Sequence, residues 1–328
     1  MLQKDDFNHK PQVKKNKLNI LPDNPEERAE HKAVGPGRFP SWLHRKLPEG
    51  NNLWKTGNIL EENRLYTVCE EAKCPNLPEC WSKKTATFLI MGKECTRACG
   101  FCDIDFNKQP KPLEKDEPER IADSVKKLGL KHVVITMVGR DDLPDQGAAH
   151  IASVIREVRR SVVDCTIEVL TSDFNGNIED LYVVLAAEPE IFNHNIETVR
   201  ELTPRVRHKA TYERTLAILR AAKQFSFERG TALLVKSGLM VGLGESELQV
   251  QQTLLDLQKA GCDIVTIGQY LQANRLKLRV KEFIHPDVFK KYEEYGYEAG
   301  IKFVYSGPFV RSSYNASVVI KEVNKITS

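Results

Sequence analysis

Six of the eight cysteines in this 328-residue chain lie between residues 69 and 102, in two groups of three. The first group has the spacing C-x4-C-x5-C, and the second has the spacing C-x3-C-x2-C. The groups are Cys69, Cys74 and Cys80, and Cys95, Cys99 and Cys102. Thiols at such short spacing are typical of metal ligands, and thiolates bind zinc and iron–sulfur clusters. Both kinds of site take four ligands, so each group is one ligand short.

The second group fits an iron–sulfur cluster with one open iron. Three thiolates on a [4Fe–4S] cube leave one iron free to chelate a small molecule through an amine and a carboxylate. Zinc would require a further Cys or His nearby, and no histidine lies between residues 45 and 131. For the first group a zinc knuckle is the alternative, because its spacing differs from that of the bacterial ferredoxin run.

Strands and amphipathic helices alternate along the chain from residue 85 onward. Apolar runs of strand length occur at residues 85–91, 132–138, 165–171, 190–196, 233–242 and 263–268. Helical patterns occupy residues 117–130, 146–162, 177–188, 212–225 and 246–261. Nearly continuous apolar strands that alternate with helices are typical of a parallel sheet made of βα units. The sequence therefore predicts an α/β fold, a partial (β/α)6 barrel, with the second cysteine group on the loop after its first strand, where such barrels carry their chemistry.

The barrel leaves a segment at each end of the chain. We predict a mobile tail over residues 1–35, because that stretch is rich in Lys, Asn and Pro and shows no periodicity. A cysteine-rich N-terminal extension is predicted over residues 36–84 and the barrel over residues 85–280. A C-terminal extension over residues 281–328 contains the sequence R-S-S-Y.

Composition narrows the class of protein. The net charge is +3 with 28% charged residues, which argues against a committed nucleic-acid binder. No apolar run reaches the roughly 20 residues that span a bilayer, and the first 34 residues resemble neither a secretory signal nor a mitochondrial presequence. We therefore expect a cytoplasmic protein without a membrane partner. In that reducing compartment, closely spaced cysteines favour metal ligation over disulfides.

Three further features have simpler interpretations. Cys165 and Cys262 stand at the starts of predicted strands, where a cysteine usually acts as a small core hydrophobe. The basic run "RVRHK" at residues 205–209 is interpreted as a solvated loop, with steering of an acidic carrier domain as the alternative.

The second cysteine group resembles the signature of the radical S-adenosylmethionine enzymes, C-x3-C-x-aromatic-C, with Phe101 as the aromatic residue. The resemblance implies that the open iron binds S-adenosylmethionine, which is cleaved to a 5′-deoxyadenosyl radical. It also implies a methionine contact from residues 136–148 and an adenine contact from residues 238–245. The individual cofactor contacts that it implies are Asn195, Glu197, Lys236, Gly238 and Gly242.

Both cysteine groups together closely resemble the lipoyl synthase family, over roughly residues 38–320. The stretches that carry the resemblance include "KCPN", "TMVGRDDLPDQGA", "FNHNIETVRELTPRVR", "KSGLMVGLGE" and "SGPFVRSSYNA". It implies two [4Fe–4S] clusters and insertion of two sulfur atoms at carbons 6 and 8 of an octanoyl-lysine. In the family the sulfur comes from an auxiliary cluster, and the resemblance implies that Cys69, Cys74 and Cys80 hold it here. In the family a serine completes that cluster, which here corresponds to Ser313, the second serine of R-S-S-Y.

The same resemblance implies the partners. They are octanoylated lipoyl carrier proteins, such as the glycine cleavage H protein and E2 lipoyl domains, an electron donor such as flavodoxin or ferredoxin, and an iron–sulfur carrier protein. A monomer is expected.

The chain departs from the family at residues 268–280, where Ala273 replaces a proline and Lys277 replaces a histidine. The resemblance therefore does not extend to how the substrate is handled at this stretch.

Two other functions remain as alternatives. A methylthiotransferase acting on RNA or a ribosomal protein also uses two clusters, but it carries an N-terminal cluster domain and a C-terminal RNA-binding domain that this sequence lacks. A zinc-binding scaffold would be colourless, whereas an iron–sulfur protein is brown.

Overall fold

The computed structural model describes residues 39–44 and 52–314. The predicted tail over residues 1–35 lies outside these ranges, as does the end of the C-terminal extension after Tyr314.

A sheet of eight strands forms the centre of the described structure. In spatial order the strands are β1 (Tyr66–Thr67), β2 (Thr87–Ile90), β5 (His132–Met137), β6 (Thr166–Leu170), β7 (Ile191–Asn193), β8 (Leu234–Val241), β9 (Ile264–Gln269) and β10 (Phe303–Gly307). Neighbouring strands are parallel except β1, which is antiparallel to β2. A separate ribbon pairs β3 (Glu94–Cys95) with β4 (Asp105–Phe106).

Helices connect the strands. They are α1 (Asn52–Glu62), α2 (Val68–Glu71), α3 (Leu77–Ser82), α4 (Glu117–Leu128), α5 (Ala148–Ser161), α6 (Ile178–Leu185), α7 (Thr203–Val206), α8 (Tyr212–Arg229), α9 (Glu247–Lys259) and α10 (Pro286–Glu298). Local chemistry sets several of their ends. Helix α9 begins at a capping box between Ser246 and Gln249, and α8 ends at Gly230 in the left-handed conformation.

All six predicted strands and all five predicted helices are confirmed, within a few residues at each end. The strands are buried along most of their length, as the continuous apolar runs indicated: Ile191, Val235 and Val265 are fully inaccessible. Strands β1 and β10 were not predicted. The first has only two residues, and the second lies in a segment that the sequence identified only as an extension.

A buried ion pair lies inside the sheet. The ammonium of Lys236 is 2.9 and 3.0 Å from the two carboxylate oxygens of Glu168, and both side chains are almost inaccessible. Burial alone would raise the pKa of Glu168, but Lys236 and His132 hold it low, at about 2. The carboxylate of Glu168 therefore stays charged at neutral pH.

Among the described residues, every helix falls short of the length and apolarity that crossing a membrane requires.

Candidate active site

The second cysteine group lies on the loop that follows β2, at the carboxyl edge of the sheet. Backbone hydrogen bonds hold this loop to three other parts of the fold. Thr96 donates to Gly139 after β5 at 2.9 Å, and Gly100 donates to Val206 in α7 at 2.9 Å. Gly100 in turn accepts from Leu278, in the loop after β9, at 2.9 Å. The predicted position after the first barrel strand is thus where the loop lies.

The three thiols of this loop are free and close enough to affect one another's charge. Burial raises the pKa of Cys99 to about 12 and that of Cys102 to about 11. The sulfur of Cys95 accepts backbone N–H groups from Arg97 at 3.4 Å and Gly139 at 3.1 Å. Such N–H donors stabilise a metal-bound thiolate, and the positive charge of iron offsets the cost of burying one. The donor set therefore fits an iron–sulfur cluster.

Arg97, which lies between Cys95 and Cys99 in sequence, anchors the loop through its side chain. Its guanidinium donates to Asp141 at 2.7 Å, to Asp173 at 2.6 Å and to Asn175 at 3.1 Å, and the residue is 8% exposed. Burial alone would raise the pKa of Asp141, but the hydrogen bonds from Arg97 keep it below its ordinary value. Sequence reasoning missed this network, although the R in "CTRAC" and the D in "VGRDD" were visible.

The loop after β7 brings together three of the predicted cofactor residues. The backbone N–H of Glu197 donates to the carbonyl of Gly238 at 2.9 Å. A Cβ on Gly238 would lie 3.0 Å from the side-chain oxygen of Asn195 and 2.5 Å from that of Thr266, so only glycine leaves room there. Glu197 has a φ of +66°, a costly conformation for a residue with a side chain. Strain of this kind is common at binding sites.

Gly242 and Lys236 lie apart from that group. Gly242 has a φ of +95° in the turn after β8, and the carboxylate of Glu245 accepts the N–H of Leu243 there at 2.9 Å. The ammonium of Lys236 is bound to Glu168, as described above. Their roles as cofactor contacts remain predictions.

The basic run at residues 205–209 is partly internal. Arg207 is 5% exposed and donates to the backbone carbonyl of Asn195 at 2.8 Å and to the hydroxyl of Thr215. Lys209 approaches the carbonyl of Thr96 at 3.3 Å. The expectation of a solvated loop is therefore wrong for Arg207, which instead supports the loop after β7.

The first cysteine group follows the short strand β1, which pairs with β2. Cys69 lies in α2 and Cys80 in α3, with Cys74 between the two helices. The backbone N–H of Cys74 donates to the carbonyl of Cys69 at 2.9 Å, which folds the segment back on itself. Burial raises the pKa of Cys69 to about 12 and that of Cys80 to about 11. The three thiols are free and close enough to affect one another's charge, which fits a second cluster.

The R-S-S-Y segment and the residues just before it contact both the region of the first cysteine group and the loop after β7. The side chain of Asn76 donates to the carbonyl of Phe309 at 2.7 Å, and the hydroxyl of Tyr314 donates to Glu79 at 3.0 Å. On the other side, the hydroxyl of Ser312 donates to the side-chain oxygen of Asn195 at 2.8 Å. The segment thus joins α3, which carries Cys80, to the loop after β7. Ser313 lies between Ser312 and Tyr314, and its role as a cluster ligand remains a prediction.

The two remaining cysteines lie in the core of the fold. Cys165 and Cys262 are 4% and 5% exposed, which confirms them as core residues. Within residues 39–44 and 52–314, no three His, Cys, Asp or Glu side chains are arranged to hold a single metal ion.

Family models match most of the chain. A model of the radical SAM superfamily matches residues 89–268. A second model, described as the N-terminal domain of lipoyl synthase of the radical SAM family, matches residues 3–74. The first match includes Cys95, Cys99 and Cys102, and the second includes Cys69 and Cys74.

Solved structures with the same fold are distant in sequence. Methylornithine synthase (PylB) has a TM-score of 0.51 at 14% identity, over 86% of this chain and 94% of that one. Streptococcus suis SuiB bound to S-adenosylmethionine has a TM-score of 0.51 at 13% identity, over 70% of this chain and 54% of that one. At these identities the likeness concerns the fold alone.

Curated relatives are much closer. The lipoyl synthase of Protochlamydia amoebophila is 65% identical over 95% of this chain and 96% of its own length. The lipoyl synthase of Chlamydia muridarum is 49% identical over 93% of this chain and 97% of its own length. At such identity over nearly the whole length, this chain belongs to the lipoyl synthase family of radical S-adenosylmethionine enzymes.

Proposed function

We propose that the chain inserts two sulfur atoms at carbons 6 and 8 of an octanoyl group carried on a lysine of a lipoyl carrier protein. The observation that supports this most directly is the R-S-S-Y segment, which contacts the α3 helix of one cysteine group and the cofactor-side residue Asn195. Sulfur insertion requires a radical site and a sulfur source that face one substrate, and the segment joins the two candidate regions.

The two cysteine groups would hold two clusters with different roles. Cys95, Cys99 and Cys102 would hold the cluster that binds S-adenosylmethionine, and Cys69, Cys74 and Cys80 with Ser313 would hold the auxiliary cluster. With both clusters and S-adenosylmethionine bound, the site supplies a radical able to remove hydrogen from unactivated carbons and a nearby source of sulfur.

The chain's own side chains position these groups. Asn195 and Glu197 have polar side chains suited to ribose hydroxyls, and Gly238 leaves space beside them. The Arg97 network fixes the loop that carries the second cysteine group. A serine oxygen is a harder ligand for iron than a thiolate and is more easily displaced, so an iron held by Ser313 could open for sulfur release.

We infer the partners and location from the same assignment. The substrate would be an octanoylated carrier such as the glycine cleavage H protein or an E2 lipoyl domain. Flavodoxin or ferredoxin would supply electrons and an iron–sulfur carrier would rebuild the auxiliary cluster, all in the cytoplasm. We propose a monomer that binds neither nucleic acid nor a membrane. Its domain boundaries would lie after residues 35, 84 and 280. The curated relatives do not favour the methylthiotransferase alternative.

The test of this function is turnover. Anaerobically reconstituted protein is incubated with an octanoylated carrier peptide, S-adenosylmethionine and a strong reductant, and the products are measured by mass spectrometry. We expect a mass gain of two sulfur atoms on the peptide and two 5′-deoxyadenosines per lipoyl group. 5′-Deoxyadenosine without any sulfur-containing peptide would contradict the proposal.

Ser313→Ala should separate radical formation from sulfur insertion. The auxiliary cluster should still assemble on its three thiolates, which supply most of the binding. Iron content and 5′-deoxyadenosine formation should stay near wild type, whereas lipoyl product should fall to a few per cent or less. Iron analysis and product quantification on the same sample provide the measurement.

Ser312→Ala is the matched control for that variant. It removes one hydrogen bond, to Asn195, which is worth about 1 kcal/mol or a roughly fivefold effect. We therefore expect a milder loss. If Ser312 proves essential and Ser313 dispensable, the ligand is assigned one residue too late; if both are dispensable, the fourth ligand lies elsewhere.

A further inference from the structure

A nearly buried carboxylate joins the two cysteine loops directly. Asp103 follows Cys102, and its side chain is 7% exposed. One carboxylate oxygen lies 2.7 Å from the ammonium of Lys73, the residue that precedes Cys74. The other oxygen accepts the side-chain amide of Asn274. The residue next to Cys102 therefore contacts the residue next to Cys74.

The backbone of Lys73 adopts a strained conformation at this contact. Lys73 has a φ of +50° at the end of α2, a left-handed position that favours glycine. A residue with a side chain costs about 1 kcal/mol or more in such a conformation. Glycine would avoid that cost but would lack the ammonium that reaches Asp103. The strain is thus retained at a residue whose charged end binds the other loop.

Asn274 adds a third element to the junction. It lies in the stretch after β9 where the sequence departs from its family, and the same stretch bonds to the second cysteine loop through Leu278 and Gly100. Asp103 therefore receives one partner from the N-terminal extension and one from the far end of the barrel. A carboxylate held from both sides fixes the position of its own loop relative to both.

We infer that Asp103 is a positioning residue that sets the separation between the two clusters. The inference rests on the proposed function, since it assumes a cluster on each cysteine group. A substrate radical must meet the sulfur source before another donor of hydrogen quenches it. An error of about 1 Å in placement can cost on the order of 100-fold in such a step. Loss of the Asp103 junction should therefore uncouple radical formation from sulfur insertion.

The test is Asp103→Asn in the reconstituted enzyme, which keeps the side chain's size and removes its charge. We expect wild-type iron content and a wild-type rate of 5′-deoxyadenosine formation. The ratio of 5′-deoxyadenosine to lipoyl product should rise by about tenfold to 100-fold. Lys73→Met should raise the ratio in the same direction, and the double variant should be no worse than Asp103→Asn alone, because the two residues act through one contact.

Asp123→Asn is the matched control. Asp123 also lies 2.7 Å from a lysine, Lys127, but on the exposed face of α4, so its ratio should equal that of wild type. An unchanged ratio in Asp103→Asn overturns the inference, and so does a loss of iron, which would assign Asp103 to cluster assembly.

A spectroscopic measurement decides the inference independently of turnover. With both clusters reduced, their magnetic interaction in the EPR spectrum depends on their separation, and it should change in Asp103→Asn but not in Asp123→Asn. An identical spectrum in all three proteins overturns the inference. A wild-type enzyme that forms no lipoyl product would instead contradict the proposed function, and the EPR comparison would still test Asp103.

Discussion

Replacing Cys95, Cys99 and Cys102 together by alanine is expected to abolish cleavage of S-adenosylmethionine. The three thiols lie on one loop, which three backbone hydrogen bonds hold at the carboxyl edge of the sheet. Without them no cluster can bind there, so the open iron that would bind S-adenosylmethionine is lost. Iron should fall from about eight to about four per chain, and 5′-deoxyadenosine should fall to background. Iron analysis and chromatography of the reaction measure both.

The matched control replaces the two core cysteines, Cys165 and Cys262, by alanine. Both are buried and lie on strand starts away from the loop, so this variant loses thiols without losing a ligand. We expect full iron content and normal cleavage from it. Cleavage that persists in the triple variant would show that the radical cluster is bound elsewhere.

Replacing Cys69, Cys74 and Cys80 by alanine is expected to give the opposite pattern. This group lies on α2 and α3, and the radical loop gets its backbone support from other elements. Formation of 5′-deoxyadenosine should therefore continue, with about four irons per chain. Lipoyl product should be undetectable, because the sulfur source is gone. The readout is the two products measured side by side in one reaction.

The same core-cysteine variant serves as control here, and it should form both products. Lipoyl product from the triple variant would remove the sulfur-donor role from this group. Loss of 5′-deoxyadenosine as well would show that the cluster on Cys95, Cys99 and Cys102 needs the first cysteine group for its own assembly. That outcome would contradict our expectation that the two clusters assemble independently, which rests on the separate backbone hydrogen bonds of the two cysteine segments.

Sequence patterns predicted the parts of the protein that depend on near neighbours along the chain. The six central strands were visible because each is buried almost continuously, and the five helices because one face of each is apolar. The cysteine groups were visible because their spacing is local. Cys165 and Cys262 were correctly assigned to the core from their position at strand starts.

Other features depended on contacts between residues far apart in sequence. Strand β1 has only two residues and forms because β2 offers an edge to pair with. The burial of Arg207 follows from its hydrogen bonds to Asn195 and Thr215. The basic sequence at residues 205–209 does not reveal these bonds. The Arg97 network joins three separate loops. None of these leaves a repeating pattern in the sequence.

The sequence by itself determined the family, the fold class and the two cysteine groups, because each is encoded in residue types at short, fixed spacing. Only the tertiary structure decided which groups meet. It brought Ser312 to Asn195, Tyr314 to Glu79 and Lys73 to Asp103. The parallel sheet gathers the carboxyl ends of its strands at one edge, which accounts for the contact between Ser312 and Asn195, and the packing of the N-terminal extension accounts for the other two. The strand order, which no local pattern encodes, decides which loops become neighbours.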